Sequence, residues 1–317
     1  MKIFFLSLLL VLSISTFSKK KSATIQSVWS AQVSEYKNKY DDYKDAKEEF
    51  NQEYRDIYKK DKNKHSLIRE SIVMKEANEV ADMKKKHAKN LSTQTADQMH
   101  LLLFNNIATQ LDEAKIHNKY RVKYAEIEYE KEKSLKLLTL EKADKLVAMA
   151  KKMGVYDYPF PKISTITKPK RTKERRFNKS KKKIYRRYAS SASRLYREMK
   201  LFHHWPNHNI IRNDIRFEYD LKQIAIRKKM TDKKEVILND YLAQIKAKTS
   251  NQLQSDSKLI GQKMMKEALA MDIEFRAETK RLDKEMKIKI KQKQRSFSSL
   301  FEKKIRDHEK VLRAKAS

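Results

Sequence analysis

The sequence predicts an all-α protein built from long amphipathic helices, in coiled-coil or extended helical-bundle packing. Only 2 Gly and 4 Pro occur in 317 residues, so few positions suit the tight turns of a loop-rich fold. Charged residues make up 36% and hydrophobic residues 39% of the chain, and the hydrophobic ones recur at helical spacings of three and four. We therefore expect two helical halves, residues 19–153 and 206–317, joined by a basic linker.

The first 18 residues have the pattern of a secretory signal peptide. Lys2 precedes an apolar stretch at residues 3–14, and the small residues Thr16 and Ser18 stand at the −3 and −1 positions of a cut after Ser18. The alternative is a membrane anchor over residues 3–17, but its 15 residues fall short of the ~20 that a spanning helix needs. We predict a cleaved signal, no transmembrane span in the mature chain, and a protein that is secreted or in the secretory pathway.

The N-terminal helical region begins with a seam rich in aromatic residues. Its apolar positions alternate between spacings of three and four, as in a heptad repeat: Val33, Tyr36, Tyr40, Tyr43, Phe50, Tyr54 and Ile57. Residues 61–66 (DKNKHS) interrupt the seam and predict either a turn, with Ser66 as the next N-cap, or a continuous helix with a register shift. Thr95 and Gln98 have the spacing of a capping box and predict the start of a second long helix.

That second helix is expected to end at Gly154. This residue can adopt a positive φ and close a Schellman motif, with Val155 as the hydrophobic partner. Residues 154–182 follow as a linker that holds three of the four prolines, and the residue before a proline favours extended backbone. Helix is predicted to return near Lys183.

Residues 183–205 are predicted to form a basic amphipathic helix and a turn. Its apolar positions recur at spacings of three and four: Tyr185, Tyr188, Ala192, Leu195, Met199 and Phe202. Pro206 is expected to end this helix, because proline cannot continue a helix interior. The C-terminal region, residues 206–317, again shows helical periodicity.

The net charge of +33 is concentrated in the middle of the chain. Residues 151–205 carry 18 basic and 3 acidic side chains, and such a segment attracts anions over about a Debye length, ~8 Å at physiological salt. The candidate polyanion-binding residues are Lys168, Lys170, Arg171, Lys173, Arg175, Arg176, Lys179, Lys181, Lys182, Lys183, Arg186, Arg187, Arg194 and Arg197.

Four interpretations of this basic segment are open. It can grip the phosphates of nucleic acid, with Tyr185 or Tyr188 stacking on bases. It can lie on an anionic lipid surface with its Tyr, Leu, Met and Phe side chains inserted, or bind sulfated glycans or acidic proteins. The fourth interpretation is a solvated linker that packs by its apolar stripe. A working signal peptide favours the anions of the secretory route over nucleic acid.

No catalytic or cofactor motif stands out, and we expect neither enzyme activity nor a cofactor. The chain has no Cys, which removes disulfides, thiol catalysis and thiolate metal sites, and it lacks Gly-rich phosphate loops, GxSxG and HExxH. His203, His204 and His208 are the best metal candidates, but Pro206 disturbs their helical spacing, and no metal is predicted.

Asn90 and Asn178 stand in Asn-x-Ser sequons and are the candidate N-glycosylation sites of a secreted chain. The function that the sequence favours is a secreted or secretory-granule structural or scaffolding protein. It is expected to self-associate through its helical seams and to bind acidic partners through the basic segment. The alternative is a chromatin-like protein that binds nucleic acid nonspecifically and whose apolar N-terminus is not a working signal.

Overall fold

The computed structural model describes residues 24–91, 99–163, 174–246 and 250–315. They form four helices, α1 (Ile25–Leu91), α2 (Met99–Lys152), α3 (Glu174–Lys246) and α4 (Ser250–Lys315), and no strand occurs in these ranges. The helices pack against each other as a helical bundle, which confirms the all-α class. The predicted signal peptide and the predicted capping box at Thr95 and Gln98 lie outside the described residues.

The N-terminal end of α1 is held by a reciprocal cap. The Ser27 backbone N–H donates to the Thr24 hydroxyl oxygen (3.1 Å), and the Thr24 N–H donates to the Ser27 hydroxyl oxygen (2.9 Å). Two of the backbone donors that a helix start leaves without partners are thereby satisfied.

α1 is continuous through residues 61–66, so the helix interpretation of DKNKHS holds and the turn does not. After Tyr54, the next buried side chain of α1 is the polar His65, whereas Ile57, which was assigned to the seam by its spacing, is 39% exposed. The ring of the buried His65 lies 2.9 Å from the Asp61 carbonyl oxygen. Ser134 of α2 donates to the Asp61 carboxylate at 3.0 Å. Where the apolar pattern of α1 stops, a hydrogen bond between polar side chains therefore joins α1 to α2.

The predicted Schellman ending of α2 is confirmed. Gly154 has a φ of 70°, its N–H donates to the Lys151 carbonyl (3.1 Å), and the Val155 N–H donates to the Ala150 carbonyl (2.9 Å). These are the two bonds of the motif. Val155 is fully buried and supplies the accompanying hydrophobic contact.

Two predicted boundaries around α3 are wrong. The helix begins at Glu174, within the stretch that was assigned to the linker, and it runs through Pro206 to Lys246 without a break. Pro206 has no N–H to offer to the carbonyl of Phe202, but the Asn207 side-chain amide donates to the carbonyl of His203 at 2.8 Å. The proline ring is buried, so tertiary packing overrides the local preference for a helix end.

The chain divides into two compact units that do not follow the predicted halves. Among the described residues, the first unit contains 24–46, 149–163, 174–198 and 305–315, and the second contains 47–91, 99–148, 199–246 and 250–304. Each unit thus combines segments from both halves of the sequence, so the two halves pack with each other inside each unit.

Each unit has its own apolar core. In the first unit, residues from α1, α3, α4 and the loop after α2 form one buried cluster: Ile25, Trp29, Ile163, Ile184, Tyr188, Ala189, Ala192 and Leu312. In the second unit, α2, α3 and α4 contribute to a cluster around Leu111, Tyr241 and Met264. A further cluster joins Ile215 and Tyr219 of α3 to Leu282 of α4.

Candidate functional site

The N-terminal part of α3 carries most of its basic residues along one exposed side. Successive helical residues are rotated by about 100°, so that residues three, four and seven apart share a side. We call this side the basic face. All of its members are exposed: Arg175, Arg176, Lys179, Lys182, Lys183, Arg186, Arg187 and Arg194.

The other predicted anion-binding residues fall into two groups. Lys181 is exposed but is rotated away from the centre of the basic face, and Arg197 is half-buried. The other four lie outside the described residues: Lys168, Lys170, Arg171 and Lys173. The structure therefore brings together eight of the fourteen predicted residues on one side of a helix.

The side of α3 opposite to the basic face is fixed in the core of the first unit. Ile184 is 1% exposed and packs in the same buried cluster as Trp29 of α1 and Leu312 of α4. Tyr188 is also buried, and the ring of Phe160 contacts it edge-on with 5.1 Å between ring centroids. The apolar stripe thus cannot enter a bilayer, and Tyr188 cannot stack on a base, while the unit is folded.

The cations of the basic face lack acidic neighbours. None of them lies within 4.0 Å of a carboxylate oxygen in the part of the chain that the structure describes. Elsewhere, exposed cations are commonly paired, as in Lys39 with Glu35 at 2.7 Å and Lys222 with Glu218 at 2.8 Å. The positive potential of the basic face is therefore not neutralised by neighbouring side chains.

Like charges also follow one another along the basic face. Lys179 and Lys183, Lys182 and Arg186, and Lys183 and Arg187 are each four residues apart on the helix. Each such pair of equal charges is unfavourable by about 0.2–0.5 kcal/mol. A bound anion relieves this repulsion, and burial of Ile184 and Tyr188 holds the helix in place without one.

A groove of 720 Å³ runs beside the basic face in the first unit. One wall is α3 and the other is the C-terminal part of α4. Four cations and one carboxylate are among its lining residues, which are Asn178, Lys181, Lys182, Tyr185, Arg186, Ala189, Ser190, Glu309 and Arg313. Glu309 is engaged by Arg313, four residues further along α4. The lining therefore has an excess of positive charge.

The tyrosine in this groove is occupied by its neighbours. The ring centroid of Tyr185 lies 5.5 Å from that of Phe160, and the Lys181 ammonium stands over the ring at 5.8 Å from its centroid. Both contacts are within the usual range of aromatic and cation–π interactions. The Tyr185 ring is therefore a fixed part of the groove wall.

The α4 side of the groove was not predicted from the sequence. Glu309 and Arg313 are more than one hundred residues from Tyr185 along the chain, and nothing in their local pattern marks them as different from other charged residues of α4. Only the packing of Leu312 into the first core brings them next to α3.

Of the three histidines proposed as weak metal candidates, His203 contacts a carboxylate, whereas His204 and His208 both pack against the ring of Phe297. The His203 ring nitrogen lies 2.8 Å from the Asp144 carboxylate. His204 is buried against the ring of Phe301, with 4.1 Å between ring centroids. The pKa of His208 is lowered, mainly by burial and also by Arg212. Within the described ranges, no three His, Asp or Glu side chains are grouped in a way that could hold a metal ion.

Of the two sequon residues, Asn178 is exposed on the first turns of α3 and lines the groove. The side chain of Asn90 lies outside the described residues. None of the described helices contains an apolar stretch that is long enough to cross a membrane.

Comparison with known proteins adds no family: no family model matches the chain, and neither the curated proteins nor the solved structures contain a significant match.

Proposed function

We propose that this protein is a non-catalytic helical scaffold that binds an anionic polymer through the basic face of α3. The observation that carries the proposal is the row of exposed cations without described acidic partners, on a helix whose opposite side is anchored in a core. A fixed helix presents these cations without a backbone-ordering penalty on binding, because burial of Ile184 has already immobilised the helix.

The length of the basic face supports a polymer as the ligand. From Arg175 to Arg194 a helix extends about 30 Å, at a rise of ~1.5 Å per residue. A small anion would meet only one or two of these cations, whereas a linear polyanion can meet many in succession. Each contact then releases counterions, so the affinity falls steeply as salt is raised.

Two of the alternative ligands are less well supported. A lipid-inserted helix would have to withdraw Ile184 and Tyr188 from the core. Nucleic acid remains the alternative ligand, because phosphates and sulfates are equally suited to Lys and Arg, but Tyr188 is buried and not available for base stacking.

The cellular location belongs to the same proposal. We propose that residues 1–18 are a cleaved signal peptide and that the protein is secreted or stored in the secretory pathway. The polyanions met there are sulfated glycans and acidic proteins. N-terminal sequencing of the natural protein tests this: a chain that begins at Lys19 supports the proposal, and one that retains residues 1–18 contradicts it.

Self-association completes the scaffolding role. Met265, Leu269 and Ile273, four residues apart on α4, are 71%, 61% and 61% exposed. Such a stripe on a helix supports packing against a second copy of the chain. Sedimentation of the mature chain should show a dimer or larger species, and substitution of all three residues by Gln should give a monomer. A strictly monomeric wild-type chain at micromolar concentration would overturn this part of the proposal.

A variant in which four cations of the basic face are replaced by a neutral residue tests polyanion binding. We would replace Lys182, Lys183, Arg186 and Arg187 by Gln and measure binding to heparin, a sulfated glycan, at several salt concentrations. The matched control replaces four exposed lysines of α1 in the second unit: Lys59, Lys60, Lys62 and Lys64. Both variants lose the same charge.

The wild-type chain and the α1 control should bind heparin with similar affinity and a steep salt dependence. The basic-face variant should lose at least about tenfold in affinity, with a shallower salt slope, because up to four ion contacts are removed. Equal loss in both variants would mean that only the net charge matters and would contradict the proposed site.

A further inference from the structure

We propose that the groove between α3 and the C-terminal part of α4 is a channel for one linear, sulfated glycan chain. The inference deepens the proposed function and rests on it: the groove supplies the specific contacts, and the rest of the basic face supplies long-range attraction. One wall of this channel is α3, with Lys182 and Arg186, and the other is α4, with Arg313.

The dimensions of the groove suit a thin chain. Its α3 wall reaches from Asn178 to Ser190, which is about 18 Å of helix at ~1.5 Å per residue. Its two walls are formed by helices that pack in the same core, so the groove is a cleft between their side chains and takes a single extended chain rather than a broad ligand. A nucleic-acid duplex is too wide for such a groove and would instead meet outward-facing cations such as Lys183 and Arg187.

The positive charges on the α3 wall of the groove are not neutralised by carboxylates of the described residues. Lys182 and Arg186 have no carboxylate within ion-pair distance among the described residues, and they stand four residues apart on the same wall. On the opposite wall, Arg313 contacts Glu309. A sulfate group between the walls would be bound by Arg186 with the forked geometry that guanidinium offers to oxyanions.

The neutral groups of the groove favour a carbohydrate. Ser190 and, when its sequon is unglycosylated, Asn178 stand at the two ends of the α3 wall and provide a hydroxyl and an amide, which can donate to and accept from sugar hydroxyls. Single-stranded nucleic acid is bound by cationic grooves that also carry aromatic rings open to base stacking, whereas Tyr185 is flanked by Phe160 and Lys181. The groove therefore offers hydrogen bonds and cations but no open stacking platform.

Two charge-matched double variants separate the groove from the outward surface. One is Lys182→Gln with Arg186→Gln, which changes groove residues. The other is Lys183→Gln with Arg187→Gln, which changes the same two residue types one position further along the helix. All four side chains are exposed, so both variants should keep the wild-type helical circular dichroism and melting temperature.

Binding of the full chain to heparin should weaken about tenfold or more in the groove variant, because two charge-assisted contacts are lost. The outward variant should remain within about threefold of the wild type, the loss expected from reduced long-range attraction. Similar losses in the two double variants would overturn the groove while leaving the proposed function intact. No heparin binding by the wild type would instead overturn the proposed function itself.

Competition identifies the class of polymer. Heparin of fixed length would first be bound to the wild-type chain. A DNA duplex, oligo-dT and poly-glutamate would then each be tested as competitors at equal charge concentration. Tighter binding of heparin than of all three supports the sulfated-glycan channel. If a competitor binds more tightly and is equally sensitive to the groove variant, the channel takes that polymer and the glycan assignment is wrong.

Discussion

The hydroxyl group of Tyr40 on α1 hydrogen-bonds to the carboxylate of Glu198 on α3, with 2.9 Å from the tyrosine oxygen to each carboxylate oxygen. Both side chains belong to the first unit. We expect Tyr40→Phe to lower the free energy of unfolding by about 1–2 kcal/mol, because a partly buried carboxylate loses one donor. Urea denaturation followed by circular dichroism measures this loss.

The neighbouring Tyr43 provides the control. It is fully buried, and its hydroxyl has no hydrogen-bond partner among the described residues. Tyr43→Phe removes a polar group without breaking a bond, so its free energy of unfolding should equal or exceed that of the wild type. If Tyr40→Phe and Tyr43→Phe have the same effect, the hydrogen bond to Glu198 does not contribute to stability.

Alkaline pH should destabilise the first unit. Burial raises the pKa of Tyr36 and of Tyr40, where the hydrogen bond to Glu198 adds to the effect, and it raises the pKa of Tyr43 to about 12. In the unfolded chain tyrosine ionises near pH 10, so the unfolded state loses its protons first. The stability that these groups contribute is therefore complete below about pH 10 and declines as the pH rises above it.

Tyrosinate absorbance and melting temperature, recorded together from pH 8 upward, check this expectation. A set of tyrosines should titrate only as the helical signal is lost. In Tyr40→Phe the decline of melting temperature above pH 10 should be shallower than in the wild type. Tyrosines that all titrate near pH 10 with the helices intact would disprove the effect of burial.

The two glycines should respond in opposite ways to replacement by alanine. Gly154 has a positive φ, which costs an L-residue about 1–2 kcal/mol, although a Cβ there would meet no atom within 4 Å. Gly261 lies inside α4, also in open space, where alanine gains about 0.5–1 kcal/mol in helix propensity. Thermal melts should thus show Gly154→Ala below and Gly261→Ala above the wild type; the same sign for both would refute the Schellman ending as the cause.

Asn207 is expected to support the passage of α3 through Pro206. Its side-chain amide donates to the carbonyl of His203, and removal of that donor by Asn207→Ala should cost about 0.5–1.5 kcal/mol. Asn207→Asp keeps the shape of the side chain but cannot donate, so it should be at least as destabilising. A stable Asp variant, measured by urea denaturation above pH 7, would show that packing and not the hydrogen bond is important.

Prediction from sequence succeeded where a local pattern determines the structure. Gly154 and Val155 end α2 as expected, since a single glycine and its hydrophobic neighbour specify the motif. The stripe containing Tyr188 and Leu195 was also identified correctly, because spacings of three and four suffice to define one side of a helix. These features depend on residues within a few positions of one another.

Prediction from sequence failed where contacts between residues far apart in the chain determine the structure. The polar stretch at residues 61–66 left a turn and a continuous helix equally open, and a hydrogen bond from Ser134 of α2 is found where α1 continues. Pro206 predicted a helix end, yet its ring is buried and α3 runs through it. The groove depends on Arg313, which comes from α4 and has no sequence signature. The α4 wall of the groove was therefore beyond the reach of local pattern.

The core of the first unit has a consequence for the order in which the chain folds. Trp29 of α1 and Leu312 of α4 lie near opposite ends of the sequence and enter the same buried cluster as Ile184. Contacts of such sequence separation slow folding, and on the ribosome this core cannot close until the last turns of α4 have been made. A nascent chain thus exposes the cationic helix before its apolar side is covered, which makes this interval the period of greatest exposure to chaperones and to unwanted anions.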